Sequence, residues 1–132
     1  MSEIQAITIV LDLPPRLLSP NAQRGGHWRH KRDAIKKYRS YTCMMARLKA
    51  LAKCPDSIPW NKAKALAAFY WPDRTHRRDE LNALASLKSA FDGFVDAGLI
   101  VDDDSEHLTH GPTTFQVDAN YPRVEITIKR MA

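Results

Sequence analysis

Two acidic groups bracket one apolar-patterned segment of this chain. Asp79 and Glu80 stand just before it, and Asp102, Asp103 and Asp104 stand in a row just after it. Adjacent carboxylates repel one another, and either a nearby cation or plain exposure to water relieves that repulsion. Carboxylates from two separate elements are also what a Mg2+ site on a phosphodiesterase needs. The ion takes hard oxygen ligands and keeps several waters. It polarises a phosphate and generates the attacking hydroxide. Mn2+ is a chemically acceptable substitute. A plainer arrangement competes with this one: Asp79 caps the helix that follows, and the three aspartates form a solvated turn. A calcium loop is excluded, because the alternating acidic spacing and its central glycine are absent.

Lys88 lies between the two acidic groups, among Leu84, Leu87 and Phe91. At the edge of an apolar face it can snorkel to water or pair with Asp92 four residues on. It can also point toward the carboxylates and stabilise charge on a phosphate in the transition state.

The chain has 132 residues and a net charge of +5. The charge is segregated. Arg24, Arg29, Lys31, Arg32, Lys36, Lys37, Arg39, Arg47, Lys49 and Lys53 crowd residues 24–53, with Asp33 against them. Arg74, His76, Arg77 and Arg78 form a second cluster beside Asp79. Such segregation suits a polyanionic partner, and the interleaved Trp28, Tyr38 and Tyr41 favour nucleic acid over a merely solvated helix face. Two cysteines, Cys43 and Cys54, are too few for a disulfide scaffold and are expected as free buried thiols. The His27/His30 and His107/His110 pairs lack the Cys-x-x-Cys partner that would make zinc the better choice. No stretch is long enough to cross a bilayer, and the N-terminus lacks the basic start and cleavage site of a secretory signal. A cytoplasmic protein is the expectation.

The elements that must position these residues follow from periodicity. Alternation of Ile7, Ile9, Leu11 and Leu13 predicts a half-buried strand over residues 4–13, ended by Pro14 and Pro15. An irregular loop rich in Pro, Asn and Gly follows. Ile35, Tyr38, Thr42, Met45, Leu48 and Ala52 recur at helical spacing, predicting an amphipathic helix over 29–53. "KALAAFYW", residues 64–71, reads as a second strand. A second helix is expected over 81–97, with Gly98 as its stop. "TTFQV" and "RVEITIK" read as a terminal strand pair joined by the turn "DANYP". The expected fold is therefore α/β or α+β: one domain spanning 1–132, with a small mixed sheet and two main helices.

The runs "DRTHRRDELN" and "LKSAFDGFVDAGLIVDDD" resemble the RusA-type Holliday junction resolvases, small homodimeric Mg2+-dependent endonucleases found in phages and prophages. Arg77, Arg78, Asp79 and Asn82 match the family's first block. Lys88, Phe91 and Asp92 match its helix, and Gly98, Asp102 and Asp103 match its last block. "LDLPPRLLSPNAQRGGHWRHKR" is similar to the family's opening strand and basic aromatic segment, so the resemblance spans residues 7–108. Two departures stand out. The second acidic position of the family is Leu81 here, and Lys88 follows Asn82 by six residues instead of three.

The resemblance implies a hydrolase that resolves four-way DNA junctions as a homodimer, in bacterial or phage-infected cytoplasm. Asp79 and Asp103 would hold the metal, supported by Asp102 and Glu80. Lys88 would contact the phosphate in the transition state, while Asn82 and Asp92 support the ligands. Arg24, Trp28, Arg29, Lys31, Arg32, Arg74, Arg77 and Arg78 would hold the DNA. The alternative is a protein of the same fold that binds DNA without cutting it, having lost catalysis with the acidic residue at Leu81.

Overall fold

The computed structural model describes residues 5–19, 28–75 and 79–132. The chain forms β1 (Ala6–Leu11), α1 (Trp28–Lys53), β2 (Ala63–Trp71), α2 (Glu80–Ser86), α3 (Lys88–Asp96), β3 (Leu108–His110), β4 (Thr114–Val117) and β5 (Arg123–Arg130), with a short 3-10 turn at Arg16–Leu18 inside the expected loop. Among the described residues the strands make one five-stranded mixed sheet in the order β1-β5-β2-β3, with β4 also on β2. The result is the expected small α+β fold.

Period-two alternation places Ile7, Ile9 and Leu11 of β1, Ala63, Ala65, Ala67 and Phe69 of β2, and Val124, Ile126 and Ile128 of β5 in the core. The small alanines of β2 share this core with large side chains from the helical segment, among them Leu87, Phe91 and Phe94.

Three expectations change. First, β4 does not pair with β5. It runs parallel to β2, with Phe115 beside Phe69, while β5 lies antiparallel on the other side of β2. The "DANYP" turn carries the chain across the end of β2. The Asp118 amide donates to the Trp71 carbonyl at 2.8 Å. Arg123 lies 3.8 Å from the Tyr70 ring centroid and is ion-paired to Asp118 and Glu125. Local turn chemistry is the same for a hairpin and for this crossing, so only long-range packing separates them.

Second, the helix expected over 81–97 is two helices, broken at Leu87 (φ −96°, ψ 4°). The Leu87 amide closes back onto Leu84, and the Ser86 hydroxyl donates to the Ala83 carbonyl at 2.6 Å. Such side-chain competition for a backbone acceptor disturbs a helix. Lys88 therefore opens α3 rather than sitting mid-helix. Gly98 ends α3 as expected, at φ +77°. Its amide bonds Val95, and that of Leu99 bonds Phe94, the paired closure that favours glycine in the left-handed region.

Third, α1 is rotated from the expected face. Tyr38, Thr42, Cys43 and Ala46 are buried, whereas Ile35, Leu48 and Ala52 are exposed. The cause is a close approach to α3. A Cβ added at Gly93 would fall 2.1 Å from Thr42 Oγ1, 2.7 Å from the Arg39 carbonyl oxygen and 3.0 Å from the Cys43 amide. Arg39 clamps the same contact with two bonds to Asp96, at 2.6 and 2.9 Å. Gly93→Ala should thus lower the melting temperature. Overpacking costs about 1–3 kcal/mol, against about 1 kcal/mol gained in helix propensity. Thr42→Ala in the same chain should recover only part of the loss, because the Arg39 carbonyl cannot move aside. Thermal melts of wild type and of these two variants check this. Cys54 is exposed instead of buried, and both cysteines are free.

Candidate carboxylate and ammonium site

The three consecutive aspartates have three different partners. Asp102 Oδ1 accepts from the Asp103 amide at 2.7 Å. Asp104 Oδ1 accepts from the amides of Glu106 and His107, at 3.0 and 3.1 Å. These two side chains shape the loop, as aspartates in turns do. Of the three, Asp103 bonds a side chain outside the loop: its Oδ2 accepts from Lys88 Nζ at 2.5 Å. The same ammonium donates to Asp92 Oδ1 at 2.9 Å. Lys88 therefore makes the helical i,i+4 pair and the contact with the second acidic group at once.

The break at Leu87 puts Lys88 in the first turn of α3, with Asp92 one turn later on the same face. The Asp103 side chain is 15% exposed and that of Asp92 25%, while that of Lys88 is 64% exposed. The two anions are thus mostly withdrawn from water and the cation reaches them from the solvent side. Burial would raise Asp103, but the Lys88 ammonium outweighs it and holds the carboxyl below the usual range. Hydrogen bonds to Asp103 and then Asp92 raise Lys88 in turn. The charge pattern that puzzles in sequence is resolved here: an ammonium offsets Asp103, and backbone amides occupy its two neighbours.

The first acidic group is held differently. Asp79 caps α2, accepting from the Asn82 amide at 3.2 Å and from Asn82 Nδ2 at 3.1 Å. The Asn82 side chain thus holds the Asp79 carboxylate. Glu80 Oε1 accepts from the Thr113 amide at 3.2 Å, tying α2 to the link between β3 and β4. Leu81 is 80% exposed. Among the described residues, no three His, Cys, Asp or Glu side chains gather into a cluster able to hold a metal ion. What Asp79, Asp102 and Asp103 share with a Mg2+ site is the chemistry of the donors, hard carboxylate oxygens.

Of the basic residues expected on DNA, Trp28, Arg29, Lys31 and Arg32 lie on the first turns of α1, and Arg74 is exposed beyond β2. Arg24, Arg77 and Arg78 fall outside the described residues. Trp28 is 57% exposed, with the Arg29 and Arg32 guanidinium groups 5.4 and 5.0 Å from its ring centroid. This contact fixes two cations beside an aromatic face. Part of the basic helix is used internally: Arg39 pairs with Asp96, and Arg47 donates to the Asp96 carbonyl at 3.3 Å. Arg39 is raised by the Asp96 bond and, more weakly, by the charges of Asp92 and Asp103. The helix bearing the basic surface therefore lies within electrostatic reach of the carboxylates. Sequence spacing cannot separate these internal pairs from free cations.

His110 is a neighbour the sequence reading considered only for zinc. Its ring meets Phe91 edge-on at 5.0 Å between centroids. Dehydration against that contact lowers it from the ordinary 6.5, while the Asp103 charge pulls the other way. A depressed folded-state value means that the unfolded chain binds the proton more readily. The stability from this group is thus present above 6.5 and is lost as pH falls through the folded value. The midpoint of His110 by NMR should lie below 6.5, rise in Phe91→Ala and fall further in Asp103→Asn.

No helix among the described residues is long and apolar enough to cross a membrane. Comparison with known protein families finds no family model that matches the chain, and comparison with curated proteins likewise finds no match.

Proposed function

We propose that this protein is a structure-selective endodeoxyribonuclease that uses Mg2+ to hydrolyse phosphodiester bonds in branched DNA such as four-way junctions, acting as a homodimer with one site per strand. One observation carries this reading. A lysine ammonium and two partly buried carboxylates, Asp103 and Asp92, meet beside the helix that carries the basic surface. Phosphodiester hydrolysis uses a cation placed where charge develops on the phosphate and carboxylates that hold a metal, and Lys88 beside Asp103 offers both kinds of group.

In this reading Asp103 and Asp79 hold the cation, with Asp102 and Glu80 in support, and the bound ion supplies Lewis-acid activation of the phosphate and of water. The protein's own groups do the rest. Lys88 offers a positive charge where negative charge develops on the phosphate. Asn82 fixes the Asp79 carboxylate, and the ordered loop of Asp102 and Asp104 fixes Asp103. Arg29, Arg32 and Arg74 contact phosphates, which positions the DNA without reading its sequence. The test is incubation of the pure protein with a synthetic four-way junction, with and without Mg2+.

A second reading has its own observation. Leu81 occupies a solvent-facing position where the resembled family carries a carboxylate, and Asp79 serves as a helix cap. A DNA-binding protein that does not cut fits both facts. It predicts salt-sensitive junction binding and no nicked product at any metal concentration.

A further inference from the structure

We infer that the cleft where the chain enters β2 is a seat for a phosphate group, held by Lys62 and Arg130. The inference stands apart from the nuclease reading, since it asks only that the ligand carry phosphate.

The cleft has a volume of about 670 Å³, inside the span of roughly 300–1,000 Å³ usual for small-ligand sites. Gln5 before β1, the segment from Ser57 to Lys62 leading into β2, and Arg130 at the end of β5 contribute to its lining. Lys62 and Arg130 bring positive charge, Ser57 and Asn61 bring neutral donors, and no acidic side chain lines it. Among the described residues, none of these four side chains donates to another group of the protein. Ala132 also lines the cleft, and its terminal carboxylate pairs with neither cation. Arg39 and Arg123 are the contrast, since the fold spends each of them on internal carboxylates. Ser57 stands in the left-handed region, at φ 62°, a strained state for a residue other than glycine that recurs at ligand sites.

The strand register adds an independent observation. The Met131 amide donates to the Lys62 carbonyl at 2.7 Å, and the next positions pair Ala63 with Arg130 and Lys64 with Lys129. Lys64 and Lys129 are like charges directly opposite each other, which costs stability in a sheet. Lys62, Lys64, Lys129 and Arg130 thus crowd one end of β2 and β5, and an anion bound there offsets their repulsion. Phosphate fits the donors best. The Arg130 fork can bond two of its oxygens at once, and the Lys62 ammonium, the Ser57 hydroxyl and the Asn61 amide can bond the rest. A carboxylate, with two oxygens, would leave donors unused. Such a phosphate arrives either on a free nucleotide or within a DNA strand.

The test is titration of the full chain, without metal, followed by NMR. The probes are inorganic phosphate, thymidine 5′-monophosphate and an oligothymidylate with a hydroxyl at both ends. Phosphate should shift the amides of Asn61, Lys62 and Met131, and the ring of His107, whose Nδ1 lies 2.8 Å from the Asn61 carbonyl oxygen. Lys62→Gln and Arg130→Gln should each weaken phosphate binding about tenfold, the usual worth of a hydrogen bond to a charged group. Both residues are exposed, so phosphate-free thermal melts of these variants should match wild type. Lys36→Gln removes the same charge from α1 and should bind phosphate as wild type does. Tighter binding of the mononucleotide than of the oligonucleotide, with the same dependence on Lys62 and Arg130, assigns the seat to a free nucleotide. The reverse order assigns it to a DNA strand. Equal phosphate binding by wild type and the Lys62→Gln, Arg130→Gln double variant overturns the inference, as does an absence of shifts at the cleft with every probe. An equal loss in Lys36→Gln overturns it too, because net charge would then account for the effect. No junction is cut in this experiment, so its failure leaves the nuclease reading standing, and failure of junction cleavage leaves the phosphate seat standing.

Discussion

Asp103→Asn is expected to abolish junction cleavage while leaving junction binding at the wild-type level. The substitution keeps shape and a hydrogen-bond acceptor for Lys88, but it removes the anionic oxygen that a hard cation requires. Asp79→Asn should have the same effect, and it isolates the chemistry well. Asparagine caps a helix as effectively as aspartate, so α2 should keep its start and folding should survive. Gel-resolved cleavage and binding of the same junction provide the two readouts. Wild-type cleavage by either variant would remove that residue from the metal assignment. Glu80→Gln adds a third point: its amide oxygen can still accept from the Thr113 amide, so a heavy loss of activity would report on charge. Full activity would mark Glu80 as a tie between α2 and the sheet and nothing more.

Lys88→Met is expected to cut the single-turnover rate about a hundredfold or more, the usual cost of losing a group that stabilises developing charge. Its cost in stability should be modest. The i,i+4 pair with Asp92 contributes about 0.3–0.5 kcal/mol, the second pair with the mostly covered Asp103 adds to it, and methionine keeps the stem volume and helix propensity. A somewhat lowered melting temperature with the fold retained, near-normal junction binding and severely reduced cleavage are the predicted combination. An unchanged rate would leave Lys88 as the structural bridge between Asp92 and Asp103 that the structure displays.

Much of the fold was legible because periodicity reports burial directly. The alternation of Ile7, Ile9 and Leu11 and the glycine stop at Gly98 required only local rules. The pairing of β4 was not legible, because "DANYP" turns a chain without saying onto which neighbour. The rotation of α1 was hidden for a related reason. Leu48 looks like a core residue by spacing, yet the close contact with Gly93 brings Cys43 in beside Thr42 and leaves Leu48 in solvent. At the site, Lys88–Asp92 follows from i,i+4 spacing, and the cap by Asp79 follows from its place before a helix. The contact between Lys88 and Asp103 depends on the break at Leu87 and on a loop shaped by Asp102 and Asp104, which no spacing rule supplies. Arg39 shows the converse: it counts toward the basic surface in sequence, and the fold spends it on Asp96.

The most direct measurement is cleavage of a synthetic four-way junction by the pure protein, with the metal varied and everything else held fixed. The account predicts nicks in both of two opposed strands in Mg2+, none in chelator, and binding that weakens steeply as salt rises. Salt-sensitive binding with no nicked product at any Mg2+ or Mn2+ concentration would contradict it.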